Sequence, residues 1–200
     1  MAKRDRRVRP ATHPEIAPPQ KEGEITFGLR AGLAVHAARP QDILRIAYAP
    51  AVSEEVASLA AWARKQGVSI EERGDGELAR ISGSTHHEGL CVLAKPRRFS
   101  PASELGKALV ARSGACVALD RVRNPYNVGA ILRTAAFFGV DAVLLGAAAP
   151  HPALAPDAIR AAEGGVEHLA LARTTDLADT LGRLRALGVQ VVGADGAATA

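Results

Sequence analysis

Residues 120–139 read DRVRNPYNVGAILRTAAFFG, and the rest of the chain is best read outward from them. They follow CVAL at 116–119, a short apolar run closed by the Asp120 carboxylate, which has the character of a buried parallel strand. After a short turn Pro125 restricts the backbone, and Asn127 stands where an N-cap belongs, its side-chain oxygen able to accept from an orphan amide of the first turn. A helix is expected over 128–138, with Gly139 as its stop. Val128, Ile131, Leu132, Ala135, Ala136, Phe137 and Phe138 go nearly all the way round it, which predicts burial on more than one side. Arg133 sits among them. A guanidinium in apolar surroundings is costly unless an anion meets it, and two partners are open: an internal Asp or Glu, or a phosphate or ribose facing Arg133 and the Asn127 end of the helix.

Downstream the same logic repeats: a strand over 140–145, a helix near 156–163, a strand near 168–172, a helix over 176–187 and a strand over 188–193. Strands joined by helices imply a parallel, doubly wound sheet over 114–200, with ligands at the carboxyl ends of the strands, where Asp120 and Asp195 lie. G-x-G-x-x-G, G-x-x-x-x-G-K-[ST] and G-x-S-x-G are absent, so dinucleotide-binding, P-loop and hydrolase readings lack their carrying residues. Upstream, Ile25-Thr-Phe-Gly28 leads into a helical stretch reaching Ala38, and strands at 43–49, 68–71 and 89–94 then alternate with helices over 53–65 and 76–82, so residues 25–95 form a separate α/β module. Residues 96–113, entered through Lys95, Pro96, Arg97 and Arg98, read as a linker with a helical turn from 103 to 112.

Two hundred residues, 48% of them hydrophobic, supply a core for one large or two small domains. Lys3, Arg4, Arg6, Arg7 and Arg9 against Asp5 account for the whole net charge of +4. With Pro10, Pro14, Pro18 and Pro19 behind them, residues 1–24 read as a disordered arm drawn to polyanions, a solubility tail being the plainer alternative. No apolar segment suited to a signal peptide or a membrane span occurs, and the cytoplasm is the expected compartment. Cys91 and Cys116 lie in apolar runs, as small buried hydrophobes do. The neighbours His86 and His87 lack a third ligand, and no metal is expected.

NVGAILRTAAFFG at 127–139, with Asp120 and Asn124-Pro125 before it and VDAVLL at 140–145 after it, resembles the first signature motif of the SpoU/TrmH group of RNA ribose 2'-O-methyltransferases, in the SPOUT superfamily. Phe27-Gly28, Ala34-Val35 and HHEGL at 86–90 resemble the amino-terminal RNA-binding domain of L30e-like fold that many members carry, and AAEGGVEH at 161–168 resembles a variant in a less characterised branch. The resemblance implies an L30e-like α/β substrate-binding domain followed by a doubly wound parallel-sheet SPOUT domain. It implies methyl transfer from S-adenosylmethionine to a ribose 2'-hydroxyl of structured ribosomal or transfer RNA by a homodimer. Asn127 and Arg133 match the catalytic motif, Asn127 ordering the site and Arg133 acting at the target nucleotide. The family's arginine is often described as a base, yet a guanidinium with a pKa above about 12 stays protonated and is better suited to holding phosphate and stabilising a developing alkoxide.

Gly193, Ala194 and Asp195 are the expected cofactor contacts, and Arg30, Arg97, Arg98 and Tyr126 the expected RNA contacts. His36 shares the first helix with Arg30. Gly129 admits either a close ribose or tight helix packing, and Gly164-Gly165 reads as a turn rather than a phosphate cradle. The family's two further motifs, which build most of the cofactor pocket and the trefoil knot, follow a strand like that at 189–193. With the chain stopping at Ala200, a truncated form with the knot incomplete or absent is expected. A non-catalytic RNA-binding protein and a small-molecule α/β binding protein are the alternative readings.

Overall fold

In the computed structural model, residues 23–146 and 154–194 are described; the basic arm up to residue 22 and Asp195 lie outside them. The first module is built on strands β1 (Glu24–Phe27), β2 (Ile43–Tyr48), β3 (Ser69–Glu72) and β4 (Leu90–Ala94), in the order β1-β4-β2-β3. β4 runs antiparallel to both its neighbours, and only β2 and β3 are parallel. Alternation along LCVLA divides the burial. Leu90, Val92 and Ala94 join Val35, Ile46 and Leu59 under helices α1 (Leu29–Ala38) and α2 (Ala57–Gln66), while Cys91 joins Phe27 and Leu78 under α3 (Asp75–Ser82). Burial pushes the Cys91 thiol up to about 12 and the Cys116 thiol to about 11, so both are inert small hydrophobes, as their apolar settings suggested. His87 is also accounted for without a metal: it is buried and its Nδ1 accepts from the Gly89 amide at 3.1 Å.

Of the residues read as a linker, Ala102–Arg112 form an eleven-residue helix, α4. Its buried face, Leu105 and Leu109, packs with Ala142, Leu144, Ala172 and Leu184 of the second module. The Ser100 amide meanwhile donates to the Leu171 carbonyl, so this segment is tied to the second sheet.

The second sheet is fully parallel, β5 (Cys116–Leu119), β6 (Ala142–Leu145) and β7 (Ala170–Arg173) in sequence order. Helices α5 (Pro125–Phe137) and α6 (Pro156–Ala161) cover the face carrying Leu119, Val143, Leu145 and Leu171; α4 and α7 (Leu177–Ala186) cover the other. This is the doubly wound α/β arrangement expected, with one exception. Residues 188–193 form no strand: the Val189 amide turns back to the Leu184 carbonyl, and Val192 is exposed. A strand exists only where a ladder partner takes its backbone groups, and apolar content alone supplies none.

Candidate functional site

The cap of α5 is Asn124, three residues before the position expected. Its Oδ1 accepts from the amides of Tyr126 (2.9 Å) and Asn127 (3.4 Å), and Pro125 takes the first helical position, where its missing N–H costs nothing. Asn127 thus lies inside the first turn, with its side chain exposed and free of capping duty. Val128, Gly129, Leu132 and Ala135 face the sheet and α6. Gly129 is a packing glycine, since a Cβ there would stand 2.5 Å from the Ala161 Cβ and 2.6 Å from the Ala158 carbonyl oxygen.

Burial on more than one side is not what α5 shows. Phe137 is 83% exposed and Phe138 75%, their rings meeting edge to face at 5.2 Å. Tyr126, Asn127, Ala130, Arg133, Thr134, Phe137 and Phe138 form one continuous outward face. A helix turns about 100° per residue, so Tyr126, Arg133 and Phe137 lie along one line of that face and Asn127, Thr134 and Phe138 along the next. Arg133 is therefore a surface cation, its side chain 55% exposed, and its anion is Glu163, whose Oε1 accepts from Nη1 at 2.8 Å. The other carboxylate oxygen, Oε2, accepts from Arg30 Nη1 of α1 at 2.5 Å. One carboxylate thus joins the two modules' expected RNA-contacting arginines.

Glu163 is held there by its neighbours. It adopts φ +48°, a left-handed backbone uncommon outside glycine. Gly164 follows at φ +90°, where a Cβ would meet Ala34 of α1 at 2.5 Å. At Gly165 a Cβ would stand 3.0 Å from the Arg133 Cα and 3.2 Å from the Leu132 carbonyl oxygen. The glycine pair does make a turn, as expected, and the turn is wedged between α1 and α5. Nothing in the spacing of Glu163 marked it as a partner of Arg133. The one available signal was an acid directly before two glycines, a place where a carboxylate can be set close to neighbouring backbone.

The remaining expected residues divide sharply. Arg97, read as a phosphate contact, is instead an interior ion-pair residue: its side chain is 4% exposed and bonded to Glu24, to Glu167 (5% exposed) and to Thr26 Oγ1 at 3.3 Å. Arg39 completes this cluster, donating to Glu167 at 2.9 Å and Glu24 at 2.8 Å. Arg98, the next residue, is exposed, and so is Tyr126 at the start of α5. His36 packs its ring on Trp62, centroids 4.8 Å apart, and burial lowers its pKa; it is a half-buried residue of α1. Gly193 and Ala194 are exposed in irregular backbone beyond α7. Asp120, at the carboxyl end of β5, is exposed and pairs with Arg121 at 3.0 Å. An open cleft of about 480 Å³ lies at the opposite, amino-terminal end of β6 and β7, lined by Leu105, Arg112, Asp141 and His168 and, from the last turn of α5, by Ala136. Among the described residues no group of three or more His, Cys, Asp or Glu is placed to hold a metal ion, and no helix is long and apolar enough to cross a membrane.

Residues 114–200 match the family model described as SpoU rRNA Methylase family. The chain is 32% identical over 183 residues to an uncharacterized tRNA/rRNA methyltransferase, YfiF, of Escherichia coli O157:H7, covering 90% of this chain and 51% of that protein. It is 33% identical over 132 residues to the 23S rRNA (guanosine-2'-O-)-methyltransferase RlmB of Acinetobacter baylyi, covering 64% of this chain and 52% of that one. The chain thus spans about half the length of the curated relatives it matches. The crystal structure of an AdoMet-bound rRNA methyltransferase from Sinorhizobium meliloti shares the fold, with a TM-score of 0.62 at 24% identity over 83% of this chain and 59% of that one.

Proposed function

We propose that the chain, whose residues 114–200 match the model of the SpoU rRNA Methylase family, acts in methyl transfer from S-adenosylmethionine to a ribose 2'-hydroxyl of ribosomal or transfer RNA. The observation carrying this reading is the outward face of α5, which exposes Asn127 in its first turn and Arg133 less than two turns further on, about 9 Å along the axis, beyond the carboxyl end of β5. The ribose position is supported by the name of the Acinetobacter relative, a guanosine-2'-O-methyltransferase.

On the RNA side the chemistry follows from residue type. As the 2'-hydroxyl gives up its proton to solvent water, negative charge grows on the oxygen, and bond formation to the methyl carbon then consumes it. Arg133, always protonated, holds the neighbouring phosphate and stabilises that charge without removing the proton. Tyr126 lies two turns from Arg133 on the same line, about 10 Å along the axis, where its exposed ring offers a surface for an unstacked base. Arg98 and Arg30 add exposed cations for phosphates. Asn127, released from capping by Asn124, has an exposed side chain with no hydrogen-bond partner among the described residues, so its donor and acceptor can order the nucleotide.

S-adenosylmethionine is the methyl donor this reading requires. Among the described residues nothing lies within 4 Å of where a Cβ on Gly193 would stand, Ala194 is exposed, and Asp195 lies outside the described residues. The described residues therefore do not form a pocket around a sulfonium cofactor, and the steps assigned above are those of the RNA-binding face alone. That openness is the observation favouring the second reading, an RNA-binding chain without catalysis. A homodimer and a cytoplasmic location belong to the same proposal, with Phe137 and Phe138 as apolar surface available to a second subunit.

The test is transfer of a labelled methyl group from S-adenosylmethionine to bulk ribosomal and transfer RNA, followed by alkaline hydrolysis. Label in a dinucleotide resistant to alkali, the mark of a blocked 2'-oxygen, is expected. Label confined to mononucleotides would overturn the ribose assignment. Calorimetric titration with the cofactor separates the two readings, because absence of binding heat together with retained RNA binding leaves only the second.

A further inference from the structure

Glu163 places one carboxylate between Arg30 and Arg133, at 2.5 and 2.8 Å. The two arginines come from different modules; the sequence pointed to Arg30 as an RNA contact and, through the resemblance, to Arg133 as a catalytic residue acting at the target nucleotide. A phosphodiester offers the same recognition pattern as a carboxylate, two anionic oxygens able to accept from two guanidinium groups at once. We infer that Glu163 is a built-in stand-in for an RNA phosphate, occupying in the free protein a phosphate site made by Arg30 and Arg133 and giving it up when RNA binds. This rests on the RNA-binding reading above and adds a site spanning both modules and an internal competitor for it.

Three observations carry it. First, Glu163 is in a left-handed backbone, φ +48°, a conformation that costs energy for a residue with a side chain and persists where the surroundings over-determine it. The wedging of Gly164 against Ala34 and of Gly165 against Arg133 supplies that constraint, so the carboxylate is aimed at the gap by the fold. Second, all three side chains are solvent-accessible, in contrast to Arg97 and Glu167, which are almost fully enclosed. An ion pair in contact with water is weak and is exchanged for a better anion at little cost. Third, Glu163 offsets half of the charge of the two arginines: together the three carry one net positive charge, and displacement of the carboxylate exposes two.

The experiment is salt-dependent binding of bulk transfer RNA to the intact chain and to Glu163→Gln, which keeps the shape and removes the competing charge. Binding about fivefold tighter at low salt is expected, with the slope of log affinity against log salt steeper by about one phosphate contact. Glu163→Asp, too short to reach both arginines, should tighten binding in the same direction and stands in should the amide variant melt early. In the Arg30→Ala, Arg133→Ala background the Glu163→Gln change should have no effect, and Glu55→Gln, in an exposed turn, should give no comparable gain. Wild-type binding with Glu163→Gln equal or weaker would overturn the stand-in and leave the RNA reading intact. An equal gain from Glu55→Gln would overturn it too, by reducing the effect to bulk charge. Absence of any salt-sensitive binding by the wild type would overturn the RNA reading itself.

Discussion

Two ion clusters join the same two modules, and they differ in one respect, access to water. Around Glu167 the guanidinium groups of Arg39 and Arg97 are closed in by protein, with Thr26 beneath them and the Glu24 carboxylate at the partly exposed margin. Around Glu163 the groups of Arg30 and Arg133 stand in solvent. The residue types are the same. What burial changes is the consequence of losing a partner: inside, an uncompensated charge is stranded in low dielectric, whereas outside, water and salt take its place. The first cluster is accordingly a structural latch and the second an exchangeable one.

The difference can be broken from either side. Arg97→Ala should lower the free energy of unfolding by about 3–5 kcal/mol, read from urea denaturation, because Glu24 and Glu167 lose their enclosed cation. A loss within the range of surface substitutions would erase the distinction. Arg133→Ala should do the reverse, reducing methyl transfer about 100-fold or more while leaving the urea midpoint nearly unchanged, since its side chain is more than half exposed. Appreciable residual transfer would remove Arg133 from the site. The smallest effect is expected at His36, which belongs to neither cluster. Its folded pKa is depressed by burial, so its contribution is complete above the unfolded value of about 6.5 and is lost as pH falls below it. Melting between pH 7.5 and 5.5 should therefore show a downward slope that His36→Asn flattens, by less than about 1 kcal/mol.

Most of the second module was legible because its strands are short apolar runs between capped helices, patterns that follow from local backbone and burial preferences. The first module's alternation identified elements without their directions, and the antiparallel placement of β4 between β1 and β2 is a long-range choice that no local pattern records. Asn124 and Asn127 are three residues apart and both suit a cap; the decision falls to Pro125, which fits the first helical position better than a turn before it. The surroundings of the expected site residues were misjudged. Arg133 looked buried because composition around α5 is apolar, yet Phe137 and Phe138 point outward. Arg97 looked like a hinge cation because Lys-Pro-Arg-Arg reads as a linker, yet the chain folds back there and encloses it. The partner of Arg133 lies thirty residues away and was visible only once the wedge was formed.

The wedge at Gly164-Gly165 also bears on distance. A module carried on a loose tether samples many positions, and its reach is set by tether length. Here α1 touches the turn and the turn touches the backbone of Arg133, leaving no room for a side chain on either glycine. Because Arg30 and Arg133 converge on one carboxylate, an RNA engaging both would bring a single phosphate to them, and the wedge would hold the two modules at one fixed distance on either side of that phosphate.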